Sequence, residues 1–435
     1  MEPATNRSNR TRNRSNPTRF IAGVCLFAFI LRLLILLGTY TYREIPDDTD
    51  HFTFGWEMGR VARSLAQGQG FSSPLPLPTG PTAIVGPVYP LLLAGIFKVF
   101  GIYSLGSGLV ARMLQCAFSS LTCLFVFLCG RETSGEPTGK LAAIAWAVFP
   151  LNIFFTVARV WESSLTVLLV SGLFWLMLRS RDSVSIPPWI TIGALLGFGA
   201  LVNTSLVALV VPFGIAGLIR HRARFILPAS VGALTCLIVV SPWLIRNHAQ
   251  FGKWMLRSNF PLEFRIGNNE LSWGQKIESL HPSNTVSLNY YWMKVGEQRF
   301  MREYSEANAQ FVASDFRRFA LATANKLVNY WTGAWIRPIR GYPNVLPVIA
   351  GVSSLSLISF LGVHQMFRSG NTAAGFMYVF CFLLYPVVYY LTTTQPRFYH
   401  SISPLLIVSS AVWILKVAGK AAPVRSCAGE GMSAT

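Results

Sequence analysis

The sequence predicts an all-α polytopic membrane protein with about ten transmembrane helices, a first outer-face loop carrying surface helices and a second outer cap segment. Three observations carry that prediction. Apolar residues make up 52% of the 435, more than a soluble domain of this length needs for its core. They fall in runs long enough to cross a bilayer. Finally, most of the +19 formal charge sits in short loops between those runs, where membrane orientation accounts for it. Nucleic-acid binding is excluded because the basic patches come without any accompanying recognition motif.

Residues 1–19, rich in Arg, Asn, Ser and Thr, form a low-complexity cytoplasmic tail expected to lack a packed fold. Arg7, Arg10, Arg12, Arg14 and Arg19 precede an apolar run in the manner of a secretion signal. The run, Phe20 to Tyr40, has spanning length and no small-residue cleavage site, so it is expected to stay as an anchor. Nine further runs follow: Leu109 to Cys129, Leu141 to Val157, Ser163 to Leu178, Trp189 to Leu201, Leu206 to Ile219, Phe225 to Ile245, Val345 to Phe367, Ala373 to Tyr390 and His400 to Val417. Residues 20–246 form the transmembrane catalytic module, with 41–108 as its first outer loop. Residues 247–340 form the cap, 341–418 the last crossings and 419–435 a second cytoplasmic tail.

Ile84 to Phe100 is short and contains Pro87, Pro90 and Lys98. If it does not span, the loops holding Arg131 and Lys140, Arg179 and Arg181, Arg220 to Arg224, and Arg368 all face the cytoplasm. It is therefore expected to lie on the surface or re-enter. Asn203 to Ser205 joins two short crossings. Within the cap, Tyr290 to Tyr330 has apolar residues at helical spacing. Of the seven cysteines, Cys427 is in the tail; Cys25, Cys116, Cys123, Cys129, Cys236 and Cys381 lie inside apolar runs and lack metal-ligand spacing, as small core residues would.

This topology puts the chemically interesting side chains on one side. Asp47, Asp48, Asp50, His51 and Glu57 are in the first outer loop. Arg159 and Glu162 are in the turn between the third and fourth crossings. Arg246 and Asn247 leave the seventh crossing, Arg337 and Arg340 enter the eighth, and Arg397 and His400 enter the tenth. Asp50 to Leu65 is expected to be helical, with Asp50 and Glu57 on one face and Gly68-Gln69-Gly70 ending it. One of those acids, raised in pKa by an apolar setting, could act as a general base; equally, they could cap the helix in water. Glu162, at the bilayer edge, is costly when ionised unless paired. Arg397 and His400 could cradle a phosphate. Arg32, inside the first crossing, could anchor an acid or phosphate or could snorkel. Asp48-Thr49-Asp50 matches the D-x-D pattern of metal-dependent nucleotide-sugar transferases, but no nucleotide-binding βαβ region accompanies it. No cofactor is indicated, and the need for a divalent metal stays open.

The arginine-bearing first helix, RVARSLAQGQGF, PVYPLLLAGIFKVFG, RVWES, SPWLIRNHAQFG, RSNFPLEFRIGN and QPRFYHSISPLL, in that order, resemble the GT-C superfamily of integral-membrane glycosyltransferases, of the protein O-mannosyltransferase and lipid A aminoarabinose transferase type. The resemblance implies transfer of a sugar from a polyprenyl-phosphate carrier to a lipid, glycan or protein acceptor, at a bacterial inner membrane with the site facing the periplasm. It implies a catalytic acid in the first outer loop, Asp50 or Glu57, with Glu162 as the acid of the outer turn. It further implies donor-phosphate contacts from Arg397 and Arg246. Asp48, Arg159 and Tyr89 are expected around the acceptor and its loop. The donor's phosphate is already a good leaving group, so a base and phosphate-holding cations suffice, with inversion at the anomeric carbon. The loop Ser73 to Pro81 could close over the acceptor. A lipid-linked glycan flippase would instead need midplane charges and similar halves, and neither is evident. An oligosaccharide ligase of another family would also want outer arginines.

Overall fold

The computed structural model describes residues 16–43, 54–334 and 346–419. Asp47, Asp48, Asp50, His51, Arg337, Arg340 and Cys427 lie outside them. The described residues are almost entirely helical, and their only sheet-like pairing is an isolated bridge between Ser72 and Pro81.

Helix α1 (Pro17–Thr39) starts slightly before the expected run, because Pro17 suits the first helical turn and the Asn16 side chain accepts from the Thr18 amide at 3.0 Å. Two shorter helices follow, α2 (Glu57–Ala66) and α3 (Val88–Phe100). Then come α4 (Leu105–Ser134), the pair α5 (Glu136–Val148) and α6 (Pro150–Val157), bent by 50° where Pro150 cannot continue the ladder, and α7 (Ser163–Ser180). After α8 (Ile186–Val202), a 48-residue helical stretch contains α9 (Val210–His221) and α10 (Ile226–Phe251). The cap holds α11 (Phe260–Gly267), α12 (Val286–Val295), α13 (Glu297–Ser314) and α14 (Phe316–Thr332). The chain finishes with α15 (Leu346–Arg368), α16 (Thr372–Leu384), α17 (Val387–Leu391) and α18 (Pro396–Val417).

Among the described residues seven helices are long and apolar enough to cross a membrane, or eight with the bent pair, against the ten expected. The difference lies in 186–251. Helix α8 is an apolar helix of 17 residues, and the 48-residue stretch would be about 72 Å long if straight. It is not straight: Arg222 has φ +52°, and Phe225 folds back onto Gly217. Near one end Ser205 meets Tyr389, near the other Arg246 meets the Thr82 carbonyl, and in the middle Arg220 pairs with Asp182.

Those contacts define two ends of the bundle. One end gathers the first loop, the turn 158–162, the cap and residues 392–397. The other gathers the loops around Thr133, Asp182, His221 and Asn371, where Asn371 donates to the Thr133 carbonyl at 2.6 Å and His221 meets the Arg181 carbonyl at 2.9 Å. Through the middle runs α18, buried without interruption from Tyr399 to Val412. It approaches α15 closely because Gly362 has no side chain to strike the Ser409 carbonyl, and Ser359 bonds Ser409 at 2.7 Å. Arg397 thus sits at the head of the most deeply buried of the candidate spans.

The expected helix from Asp50 is shorter. It begins at Glu57, because Gly55 (φ +85°) and Trp56 (φ +53°) turn the chain just before it. Asp50, the other acid expected on that helix, lies outside the described residues. At the other end Gly68 (φ +78°) and Gly70 (φ +74°) do terminate α2.

Candidate active site

The turn between α6 and α7 is the centre of the candidate site. Glu162 occupies the N-cap position of α7 yet makes no side-chain cap bond, and its Oε2 is buried without a hydrogen-bond partner. The residue is 9% exposed. Its neighbour Trp161 carries two guanidinium groups, Arg397 at 4.8 Å and Arg159 at 5.7 Å from the ring centroid. Arg397 also keeps a buried Nε without a partner. A buried carboxylate oxygen and a buried guanidinium nitrogen, both unspent, meet at one turn.

Two further charged residues join them from α11 and the loop before it. Arg257 donates to the Ile84 carbonyl at 3.0 Å. Burial lowers its pKa, the carboxylates of Glu162 and Glu263 act against that, and Arg397 adds to it, so all four groups share one electrostatic neighbourhood. A guanidinium stays charged through such a shift. Glu263 accepts from Thr393 at 3.4 Å. Tyr89, 2% exposed, donates to Gln115 at 3.2 Å; burial raises its pKa, Glu162 raises it further and Arg112 works against both. Gln115 in turn donates to the carbonyls of Thr156 and Arg159, at 3.1 and 2.9 Å, and so shapes the turn.

The acidic first loop docks directly on this turn. A Cβ on Gly55 would lie 2.6 Å from the Val160 carbonyl oxygen and 3.3 Å from the Trp161 ring, so only glycine permits the approach. Gly55 stands five residues after Asp50 in the chain.

Other residues singled out in the sequence are placed in bracing roles. Glu57 accepts from Ser283 at 3.1 Å and lies 3.6 Å from His281, tying α2 to the cap. Burial pushes the Glu57 carboxyl up, but His281, Arg60 and Ser283 outweigh it and hold it below its usual range. Burial likewise holds the His281 imidazole low despite that carboxylate. Arg246 donates to the carbonyls of Thr82 and Phe71 at 2.6 and 2.9 Å, pinning the base of the 73–81 hairpin. Arg32 is fully buried, donating to Ser119 at 3.0 Å and to the Ala147 and Trp146 carbonyls at 3.0 and 3.3 Å. Those carbonyls are orphans at the broken end of α5, the negative pole of that helix. His400 is fully buried one turn beyond Arg397, stacked on Trp146 (5.8 Å) and Phe155 (4.9 Å). The structure thus brings Glu162, Arg159, Arg397 and Tyr89 together and sets Arg32, Arg246 and Glu57 apart as braces.

Sequence reasoning missed Arg257, Glu263 and Trp161 as individual residues, although all three lie within the quoted motifs. It also missed Glu297, which accepts from Thr82 (2.5 Å), the Ala83 amide (2.9 Å) and Ser258 (2.6 Å) and locks the first loop to the cap. Among the described residues no three His, Cys, Asp or Glu side chains are grouped to hold a metal.

Residues 83–245 match the family model described as dolichyl-phosphate-mannose-protein mannosyltransferase. The archaeal oligosaccharyltransferase AglB from Archaeoglobus fulgidus, solved with an inhibitory peptide and a dolichol-phosphate, superposes with a TM-score of 0.56 over 93% of this chain at 14% identity. The chain shares the fold of that membrane oligosaccharyltransferase. The apo form of the same archaeal enzyme matches this chain with a TM-score of 0.56 over 94% at 14% identity. This chain spans about half the length of those it matches, 50% and 51% of each. ArnT from Cupriavidus metallidurans, bound to undecaprenyl phosphate, gives a weaker likeness, with a TM-score of 0.42 at 11% identity over 93% of this chain and 78% of its own. No curated protein matches the sequence closely enough to stand as a relative.

Proposed function

We propose that this protein is an integral-membrane glycosyltransferase that takes a sugar from a polyprenyl-phosphate carrier and passes it to an envelope acceptor. We assign it to a bacterial inner membrane, with the site facing the periplasm. The observation that supports this most is the meeting of Glu162, Arg257 and Arg397, from three distant segments, beneath the docked first loop.

In the proposed mechanism Arg397 and Arg257 hold the phosphate of the donor and stabilise it as it leaves. Asp50 is the general base that takes the acceptor's proton, and attack opposite the departing phosphate inverts the anomeric carbon. Glu162 orients the sugar or acceptor hydroxyls through its unspent oxygen. Tyr89, Arg159 and Asp48 shape the acceptor side, and Glu57, paired beneath the cap, holds the loop that presents Asp50.

The test is transfer of labelled sugar from polyprenyl-phosphate donors to envelope acceptors by purified protein and its Asp50→Asn, Glu162→Gln, Arg257→Gln and Arg397→Gln variants. Loss of turnover with donor binding retained in Asp50→Asn, and weakened donor binding in the arginine variants, is expected. A wild type that consumes no donor but moves lipid-linked glycan across liposomes would replace the transferase with a flippase.

A further inference from the structure

We propose that the end of the bundle opposite the candidate active site carries a binding site for the phosphate headgroup of an anionic phospholipid. Helix α7 runs from Glu162's turn to Arg181 over 18 residues, about 27 Å, close to the thickness of a hydrocarbon core. At its far end a cavity of about 270 Å³ opens between α7, α9 and the start of α16.

The cavity combines two chemistries. Its walls are apolar, with Phe213, Phe225 and Phe376 among them, and its rim holds Arg181, Arg220 and His221. Two of its lining residues have buried donors without a hydrogen-bond partner, Arg181 Nη1 and Trp189 Nε1. Buried donors ordinarily have partners, and two around one cavity call for an acceptor. Arg181 is held in place at its other atoms, its Nε lying 3.5 Å from Asp182 and its carbonyl 2.9 Å from His221 Nε2. Trp189 is 8% exposed and set edge-on against Phe225 at 4.8 Å.

Charge selects an anion and the walls select a lipid. Residues 179–182 and 220–224 contain five arginines against one aspartate, which pairs with Arg220. Beside the cavity Ile219 (75%) and Phe376 (51%) are exposed where a membrane would cover them. A free anion would satisfy the donors and leave this apolar lining in water; a phospholipid satisfies both, and basic pockets between helices at a membrane face suit such headgroups.

The experiment is native mass spectrometry of the full chain in detergent, titrated with phosphatidylglycerol and with phosphatidylcholine of the same acyl chains. Binding is read directly, so the result is independent of whether the protein transfers sugar. The expected result is one phosphatidylglycerol bound about tenfold more tightly than phosphatidylcholine. Arg181→Gln should weaken it about tenfold, and Trp189→Phe, which keeps the aromatic packing, about threefold. Millimolar inorganic phosphate should not displace the lipid. Equal binding of the two lipids, unchanged binding in both variants, or displacement by inorganic phosphate would each overturn the proposal.

Discussion

The Arg397 guanidinium lies 4.8 Å from the centroid of the Trp161 ring. That contact links the head of the central helix α18 to the turn carrying Glu162, 235 positions earlier in the chain. It holds a cation at the bundle's end while the buried Nε of Arg397 keeps no hydrogen-bond partner.

Replacing Arg397 by Ala should lower kcat/KM for the lipid-phosphate donor by about 10²- to 10³-fold, the usual cost of losing one preorganised donor to a departing anion. Trp161→Leu, which keeps the arginine but removes its platform, should cost less, about tenfold. Steady-state kinetics on both variants check this; equal losses would mean that the ring itself contacts substrate.

Glu162→Gln should cost about 10²-fold or more in turnover while leaving the apparent melting temperature nearly unchanged, because Oε2 has no partner to lose. A fall of many degrees in the melting temperature would instead mark Glu162 as a structural residue.

Gly55→Ala tests the docking of the acidic loop. The added methyl would sit 2.6 Å from the Val160 carbonyl in a backbone conformation, φ +85°, that alanine resists. The loop should detach, lowering activity at least about tenfold while the spanning helices stay folded. Limited proteolysis of residues 41–108, compared between wild type and variant, reads the detachment.

Lys326 predicts a pH dependence of stability. It is fully buried on α14, donating to Asn268 (2.7 Å) and to the carbonyls of Thr392 (3.0 Å) and Gly267 (3.4 Å), and burial pushes its pKa down to about 7. An unfolded lysine titrates near 10.4, so between about pH 7 and 10 the unfolded chain binds more protons than the folded one. This group's contribution to stability should be complete above the unfolded pKa and be lost as pH falls towards 7. Melting curves between pH 7 and 10 should show that rise, and Lys326→Met should flatten it.

Much of the architecture was legible in the chain because bilayer thickness imposes a run length and backbone saturation imposes helix, and both leave a mark in local composition. The gathering of loops at one end could also be read, because short basic loops orient the runs between them. Where the count differed, in 186–251, short and broken helices blur the relation between a run and a crossing. For the candidate site, residue type alone could not separate Arg397, with an unpartnered buried nitrogen, from Arg246 and Arg32, whose donors are taken by backbone carbonyls. What the sequence by itself determined is the helical membrane chain and a short set of candidate acids and arginines. What only the tertiary structure decided is which of them are spent on holding loops and broken helices and which, like Glu162, keep a buried polar atom without a partner, because that depends on hydrogen bonds between segments hundreds of residues apart.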